Sequence, residues 1–397
     1  MHHYTYLIIG GGMTAAAAVE GIRQADPKGT IGLIGAETHP PYKRPPLSKG
    51  LWKGKPLEGI WLQTEGHGVA LHLGRTVRAL DPRQKQVTDD QGTVYTYDKL
   101  LLATGGMPRR LPFGGDRIIY FRTLDDYQQL RALTEQGQRF AVIGGGFIGS
   151  EIAAALAMNG KDVVLIFPGE GICGHMFAAD LAGFLNDFYR QKGVEVLAGE
   201  QVVGLEVRDR RAVLTLRGAD ASAEHRIEAD GVVAGIGIEP NVDLARSAGL
   251  GIGNGIVVDA SLRTSDPDIF AAGDGASFAN SSLGTRLRVE HEDNANTMGR
   301  MAGQAMAGQS VSYDHLPFFY SDLFELGYEA VGEVDSRLET VADWKEPYRE
   351  GVVSYLRDGR VRGVLLWNVW EQVDAARSLI AEPGPFRPED LKGRLPA

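Results

Sequence analysis

Two strand-like runs that open onto glycines constrain this chain more than anything else in it. The first is Tyr4-Thr5-Tyr6-Leu7-Ile8-Ile9-Gly10-Gly11-Gly12-Met13-Thr14-Ala15-Ala16-Ala17-Ala18, at the start of the chain. The second is Arg139-Phe140-Ala141-Val142-Ile143-Gly144-Gly145-Gly146-Phe147-Ile148-Gly149-Ser150-Glu151. In each, an apolar, β-branched run of strand length passes through a tight turn into small helix-formers. A helix that starts this way offers unpaired N–H groups and the positive end of its dipole to phosphate. Gly10 and Gly144 serve the turn, and Gly12 and Gly146 let backbone approach a pyrophosphate. The third position, Gly149 in the second unit and Ala15 in the first, needs a small residue for close helix–strand packing. One such turn can be purely structural, but two in one chain predict two dinucleotide cradles.

The surroundings extend both units. Thr30-Ile31-Gly32-Leu33-Ile34-Gly35-Ala36-Glu37 reads as a second strand closing on an acid, about 20–25 residues after the glycines, where a ribose-binding carboxylate is expected. A solvated loop glutamate remains the alternative for Glu37. Next, Pro40-Pro41-Tyr42-Lys43-Arg44-Pro45-Pro46-Leu47-Ser48-Lys49 is a stiff segment that holds Arg44 and Lys49 in defined places. It is either a plain proline-rich surface loop or one that faces phosphate or flavin. Residues 69–80 and 86–97 alternate like an inserted β-meander, with Val77 a candidate to lie against an adenine. A buried strand then ends in Ala103-Thr104-Gly105, and Pro108 and Pro112 mark a linker.

Behind the second glycine unit, Asp162-Val163-Val164-Leu165-Ile166-Phe167 supplies the next strand. A further meander (201–205 and 212–216) and a buried strand leaving through Gly235-Ile236-Gly237-Ile238-Glu239-Pro240-Asn241 follow. Ile269-Phe270-Ala271-Ala272-Gly273-Asp274 ends in an aspartate, which in an open α/β sheet falls on the ligand-facing edge. Arg288-Val289-Glu290-His291-Glu292-Asp293 opens a small-residue helix running to about residue 308. From Pro317 on, strand-like stretches at 328–334, 351–356 and 362–368 and one helix predict a third α/β piece with no recognisable chemistry of its own.

Composition narrows the function. A chain of 397 residues exceeds one ordinary core, so two or three domains are expected. The net charge of −10 argues against non-specific binding to nucleic acid or to an anionic membrane surface. The single cysteine, Cys173, rules out an intramolecular disulfide, a CxxC redox pair and a cysteine-rich zinc site, and no metal site is expected. No apolar run reaches about 18 residues, so no membrane span is expected. Met1-His2-His3-Tyr4 runs straight into the first strand and leaves no room for a signal peptide, which points to the cytoplasm.

Taken together, the two cradles, the Pro-Tyr-Lys-Arg-Pro-Pro-Leu-Ser-Lys loop, Ala103-Thr104-Gly105, Gly237-Ile238-Glu239-Pro240-Asn241 and Ala271-Ala272-Gly273-Asp274 resemble one family along nearly the whole chain. It is the flavoprotein pyridine-nucleotide oxidoreductases, in the branch of ferredoxin, rubredoxin and putidaredoxin reductases and apoptosis-inducing factor. The resemblance implies an α/β, glutathione-reductase-like fold. It has two Rossmann-like dinucleotide-binding domains, a discontinuous FAD domain and a C-terminal α/β interface domain. The implied division is 1–112 and 243–315 for FAD, 113–242 for NAD(P)H and 316–397 for the interface domain. Carried over, Gly10, Gly12 and Ala15 hold the FAD pyrophosphate, Glu37 the adenosine ribose and Arg44 the phosphates. Val77 takes the adenine side and Asp274, after Gly273, the ribityl chain, with Ala103, Thr104, Gly105 and Gly237 at the turns. Lys49, paired with Glu151, resembles the family's lysine near flavin N5, and Phe147 the aromatic that gates nicotinamide stacking. The helix starting near Glu290-His291 aims its dipole at the N1 end of the flavin.

Two departures shape the functional expectation. Where ferredoxin reductases of this branch usually carry Trp after Glu-His, this chain has Glu292-Asp293, as the apoptosis-inducing-factor side does. The downstream runs Phe319-Tyr320-Ser321-Asp322 and Gly327-Tyr328-Glu329-Ala330-Val331-Gly332 resemble that side too. In the second cradle, Phe167 replaces the acid that selects an NAD ribose, with Glu170 three residues on and no Arg or Lys in that loop; NADH is favoured over NADPH. The implied function is an FAD oxidoreductase that takes hydride from NADH or NADPH and passes electrons to a one-electron carrier such as ferredoxin or rubredoxin. One alternative is an apoptosis-inducing-factor-like NADH sensor with slow turnover and redox-linked dimerisation. The other is an NADH:quinone or oxygen reductase using the same site. A monomer or a homodimer fits either.

Overall fold

The computed structural model describes residues 2–218 and 224–395. The chain divides into two compact units, one of Met1–Lys43, Glu58–Met107 and Glu239–Phe319, the other of Arg44–Leu57, Pro108–Ile238 and Tyr320–Ala397. Met1 and the last two residues lie outside the described residues. The fold is α/β, with one Rossmann-like sheet in each unit.

In the first unit, His2–Ile9 is the central strand, flanked in parallel by Ile31–Gly35 on one side and Val94–Leu102 on the other. The inner residues Leu7, Ile8, Leu33, Leu100 and Leu101 are fully buried, as continuous apolar runs in a sheet covered on both faces must be. Val94–Leu102 changes partner along its length. Its first half pairs antiparallel with Gln86–Asp89 and its second half parallel with Ile269–Ala271, so a segment from far along the chain completes the sheet.

The expected meander is only partly present. Val69–Leu73 instead adds a parallel edge strand beside Ile31–Gly35, and the meander proper is Val77–Asp81, Gln86–Asp89 and the start of Val94–Leu102. Five alternating residues read the same in either pairing; the distant partner decides.

Two helices cover the glycine-bearing end of this sheet, Met13–Ala25 and Glu292–Met306. They approach to backbone contact because their facing residues are glycines. A Cβ on Gly299 would stand 2.4 Å from the Thr14 carbonyl oxygen, one on Gly303 2.1 Å from that of Ala18, and one on Gly21 2.0 Å from that of Arg300. The small-residue character of both helices is therefore a packing requirement, and it holds the start of Glu292–Met306 in place against the first cradle's helix.

In the second unit, five parallel strands run in the order Val194–Ala198, Asp162–Phe167, Arg139–Ile143, Gly231–Ala234, Ile118–Tyr120. The helices Leu124–Gln136, Phe147–Met158 and Ala179–Gln191 connect them. An antiparallel three-stranded sheet (Glu200–Arg208, Arg211–Gly218, Glu224–Ala229) is inserted before the last parallel strand.

The C-terminal residues build a five-stranded antiparallel sheet whose strands Phe318–Leu323 and Glu339–Glu346 have no counterpart in the expected set. It packs on the rest of the unit through aromatic rings: Phe177 meets Tyr328 and Trp367 edge-on, at 5.2 and 5.7 Å. Phe184 stacks on Tyr348 at 5.2 Å. Edge-to-face pairs of this kind add to the area they bury, which accounts for a C-terminal sheet that shares a compact unit with the second cradle.

The helix contact yields a test. Gly303→Ala should lower the stability of the folded protein by about 1–3 kcal/mol through overpacking. Gly183→Ala, at a helical position whose added Cβ meets nothing within 4 Å, should leave it unchanged or raise it slightly. Urea unfolding of both variants and of the parent reads the difference.

Candidate active site

Both cradles have the same construction. Gly10 (φ +121°) lies so close to the neighbouring strand's exit that a Cβ would fall 2.0 Å from the Ala103 carbonyl oxygen. Gly144 (φ +112°) stands in the same relation to Gly235, at 2.3 Å. Both positions therefore exclude every side chain, by conformation and by space. Gly12 and Gly146 cap the two helices at extended φ values of −93° and −87°, with no side-chain cap and no acid in the first turn. A Cβ on either would meet nothing within 4 Å, so open space lies in front of both helix ends. By contrast, Leu124–Gln136 closes its own N-terminus with a Thr123/Asp126 capping box. Uncapped donors facing open space suit an anionic pyrophosphate.

The third position separates the two cradles. A Cβ on Gly149 would lie 1.7 Å from the Gly144 carbonyl, whereas the first cradle holds Ala15 fully buried.

Around the first cradle, Gly11 faces Gly35 at the end of the second strand, 3.4 Å from an added Cβ to the Gly35 Cα, and Glu37 follows two residues on. Tyr42 Oη donates to Glu37 Oε2 at 2.5 Å, which orients the carboxylate. Thr104 Oγ1 donates to the Asn241 carbonyl at 2.8 Å, and Asn241 Nδ2 returns a bond to the Thr104 carbonyl at 2.9 Å. This exchange ties Ala103-Thr104-Gly105 to the Glu239-Pro240-Asn241 exit. Gly273 (φ +78°) packs on Thr14, 2.3 Å from an added Cβ to Oγ1, and sets Asp274 in a 3₁₀ turn beside the cradle helix. Glu290 is ion-paired with Arg288 at 2.6 Å. His291 caps Glu292–Met306 through its backbone and stacks on Phe319 at 4.3 Å. Val77 begins the strand Val77–Asp81, half-buried.

In the second unit, Lys49 Nζ and Glu151 Oε1 form an ion pair at 2.7 Å, with the side chains 13% and 3% exposed. Two hydroxyls complete the carboxylate: Ser48 Oγ donates to Oε2 at 2.5 Å and Ser321 Oγ to Oε1 at 2.6 Å. Lys49 Nζ also lies 5.2 Å from the centre of the Tyr320 ring. The C-terminal piece, expected to carry no chemistry, thus supplies Ser321 and Tyr320 to this cluster. Sequence reading has both in the run Phe319-Tyr320-Ser321-Asp322 but gives them no role, because Ser321 lies 170 residues from Glu151 and shares no local pattern with it. Arg44 is in this unit as well, where its Nη1 donates to the Arg122 carbonyl at 2.8 Å. Gly237 (φ +90°) accepts a backbone bond from Arg109 at 2.9 Å.

Beside the second cradle a cleft of about 680 Å³ is lined by Gly145, Gly146, Phe167, Glu170, His175 and Ser336, among others. No Lys or Arg lines it among the described residues. The Phe167 ring covers Gly145, with 2.6 Å from an added Cβ to Cγ. His175 meets Phe147 edge-on at 6.3 Å, and its carbonyl accepts from the Ser336 N–H at 3.1 Å. Burial holds the His175 imidazole below its ordinary pKa, against the opposing pull of Asp335. His175 and Ser336 carried no sequence signal.

Residues 4–299 match the family model described as pyridine nucleotide-disulphide oxidoreductase. The chain belongs to that family. Residues 302–347 and 342–382 match the C-terminal model of mitochondrion-associated apoptosis-inducing factor. The chain is 36% identical over 391 residues, 96% of its length and 94% of the relative's, to the ferredoxin reductase subunit of 5,5'-dehydrodivanillate O-demethylase from Sphingobium sp.. It is 34% identical to apoptosis-inducing factor 1 of Dictyostelium discoideum, covering 96% of this chain and 79% of the relative. Among solved structures it resembles the covalent putidaredoxin reductase–putidaredoxin complex, with a TM-score of 0.88, 30% identity and coverage of 98% and 95%.

As a pyridine nucleotide-disulphide oxidoreductase it is an enzyme that works with FAD and NAD(P)H. The open cradles at Gly12 and Gly146 suit the two dinucleotides. The disulphide of the family's name has no counterpart here, because Cys173 is the sole cysteine. It is buried, and burial pushes its thiol up to about 12.

Two outcomes follow. Cys173 should stay unreactive toward an aromatic disulfide reagent between about pH 7 and 9 in the folded enzyme and react fully on denaturation, since only the thiolate attacks. On the expected assignment of FAD to the first cradle and NADH to the second, Gly12→Val should fold yet lose FAD on gel filtration, and Gly146→Val should keep its FAD but weaken NADH binding at least tenfold by titration.

Proposed function

We propose that this enzyme oxidises NADH and delivers the electrons one at a time to a small ferredoxin-type iron–sulfur protein. Supporting it is the 36% identity, along 96% of the chain, to a ferredoxin reductase subunit. When bound, FAD accepts an electron pair as hydride and releases electrons singly. The first cradle is the FAD site of the proposal. Gly10, Gly12 and Ala15 hold the pyrophosphate, Glu37 the ribose, Val77 the adenine side and Asp274 the ribityl chain. Residues 1–112 and 243–315 make its domain, 113–242 the NADH domain and 316–397 the interface domain.

In the second cradle, Gly144, Gly146 and Gly149 bring the uncapped helix end to the NADH pyrophosphate, and Phe147 screens the nicotinamide position. Glu170 lies in the cleft where an adenosine ribose belongs. A carboxylate accepts hydrogen bonds from ribose hydroxyls and repels a 2′-phosphate, and among the described residues no Lys or Arg lines the cleft to offset that repulsion. This favours NADH over NADPH. Lys49 carries positive charge toward the flavin, with Glu151 holding it, while the N-terminus of Glu292–Met306, capped at His291 beside Glu290, stabilises the negative charge that develops on reduction. Arg44 completes the set as a phosphate partner. A cytoplasmic location, as monomer or homodimer, goes with this reading on the similarity to a bacterial reductase subunit.

A second reading rests on the match of the C-terminal residues to the apoptosis-inducing-factor model: an NADH sensor with slow turnover and redox-linked dimerisation. Anaerobic stopped-flow with FAD-loaded enzyme separates the two. The expected result is rapid flavin bleaching by NADH, at least tenfold slower bleaching by NADPH at equal concentration, and fast reoxidation by a ferredoxin or rubredoxin. Bleaching by neither nucleotide would sink the whole proposal. Slow reoxidation by every carrier, quinone and oxygen tested, with a doubling of mass in light scattering on NADH addition, would replace it by the sensor.

A further inference from the structure

The Glu151 carboxylate is held from three directions. Lys49 and Ser321 donate to Oε1 at 2.7 and 2.6 Å, and Ser48 donates to Oε2 at 2.5 Å. These donors come from two segments far apart in sequence, the Pro-Leu-Ser-Lys turn and the strand Phe318–Leu323. The ionisable groups buried nearby are neutral: desolvation pushes the Cys173 thiol up to about 12 and holds the Tyr189 and Tyr328 hydroxyls well above their ordinary value. Hydroxyl donors, not further charges, therefore complete the carboxylate's surroundings.

We propose that Ser321 and Ser48 are positioning residues for the reduction step, fixing the plane of the Glu151 carboxylate and, through it, the position of the Lys49 ammonium. The proposal rests on the reading above that Lys49 acts on the flavin. The last torsion of a glutamate is broad, so a single ion pair would leave the carboxylate free to turn. A lysine carries four flexible methylenes and a point charge that fits many geometries. Hydrogen bonds to both carboxylate oxygens remove the first freedom. Oε1, shared between Ser321 and Lys49, with the Tyr320 ring beneath the ammonium at 5.2 Å, then restricts the second. Charge-assisted O–H···O⁻ bonds are the strong kind, so losing one is costly at a carboxylate that is only 3% exposed.

The test uses FAD-loaded full-length enzyme carrying S321A, S48A, S321T, E151Q, S321A with E151Q, and K49M. Two readouts are taken: the limiting rate and Kd for flavin reduction by NADH, and the flavin midpoint potential from equilibrium dye titration. S321A should slow the limiting rate roughly tenfold, the equivalent of one such bond, with Kd for NADH changed less than twofold. It should also move the potential negative, in the direction of K49M, and S321T should restore both. In the E151Q background S321A should add nothing, because Ser321 acts through that carboxylate. S48A should reproduce S321A in kind; if S321A fails to fold or to retain FAD, S48A alone carries the comparison. Wild-type rate and potential in S321A and S48A alongside a clear loss in K49M would overturn the positioning role alone. So would full additivity of S321A with E151Q. A K49M enzyme equal to wild type in both readouts would overturn the Lys49 reading and this inference together.

Discussion

The contact between a turn glycine and the carbonyl at the exit of the neighbouring strand is what the rest of each nucleotide-binding domain is built on. Gly10 against Ala103 and Gly144 against Gly235 bring two crossover turns to within backbone distance of each other at the carboxyl edge of each sheet. Ligands of open α/β sheets bind at that edge, where the crossovers diverge. Once the approach is set, the helix that follows begins at the mouth of the turn with its first N–H groups unspent. In the first domain the same closeness propagates outward, through Gly273 on Thr14 and Gly299 and Gly303 on the cradle helix, until the helix headed by His291 is placed as well.

A second constraint is electrostatic. Glu151 is nearly sealed from water, and a buried carboxylate persists only with strong partners. One cation and two hydroxyls supply them. The arrangement links three parts of the sequence that have no local reason to meet: the proline-stiffened turn, the helix of the second cradle and the C-terminal sheet. The cradle helices show the opposite treatment. Their N-termini are left without side-chain caps, while Leu124–Gln136 spends Thr123 and Asp126 on its own end.

Much of this was legible from residues alone. The glycine turns, the strand before each and the small residues after each are local signals, and they led to the right pair of Rossmann-like sheets. The Lys49–Glu151 pair came through resemblance, and the geometry of the two side chains agrees with it. Val69–Leu73 joins Ile31–Gly35 and not the meander its pattern predicts, because an edge strand shows one alternating pattern whatever its partner. Ser321 and Tyr320 stand in a run that resembles the family, yet their role is not legible there, because a serine or tyrosine in a strand is uninformative until its neighbour across the fold is known. His175 and Ser336 were hidden for the same reason, since each lines the nucleotide cleft only after two loops are brought together.

By itself, then, the sequence determined what depends on neighbours a few residues away: positive-φ turns, strand and helix periods, a stiff cationic segment and a lone cysteine. It also determined the family, because several such signals occur in one order along the chain. Only the tertiary structure decided which strand Val69–Leu73 joins and which hydroxyls complete Glu151. It also decided that the C-terminal sheet shares a compact unit with the second cradle. Those outcomes turn on pairings between side chains and strands far apart in sequence, selected by packing and by the cost of leaving a buried charge without partners.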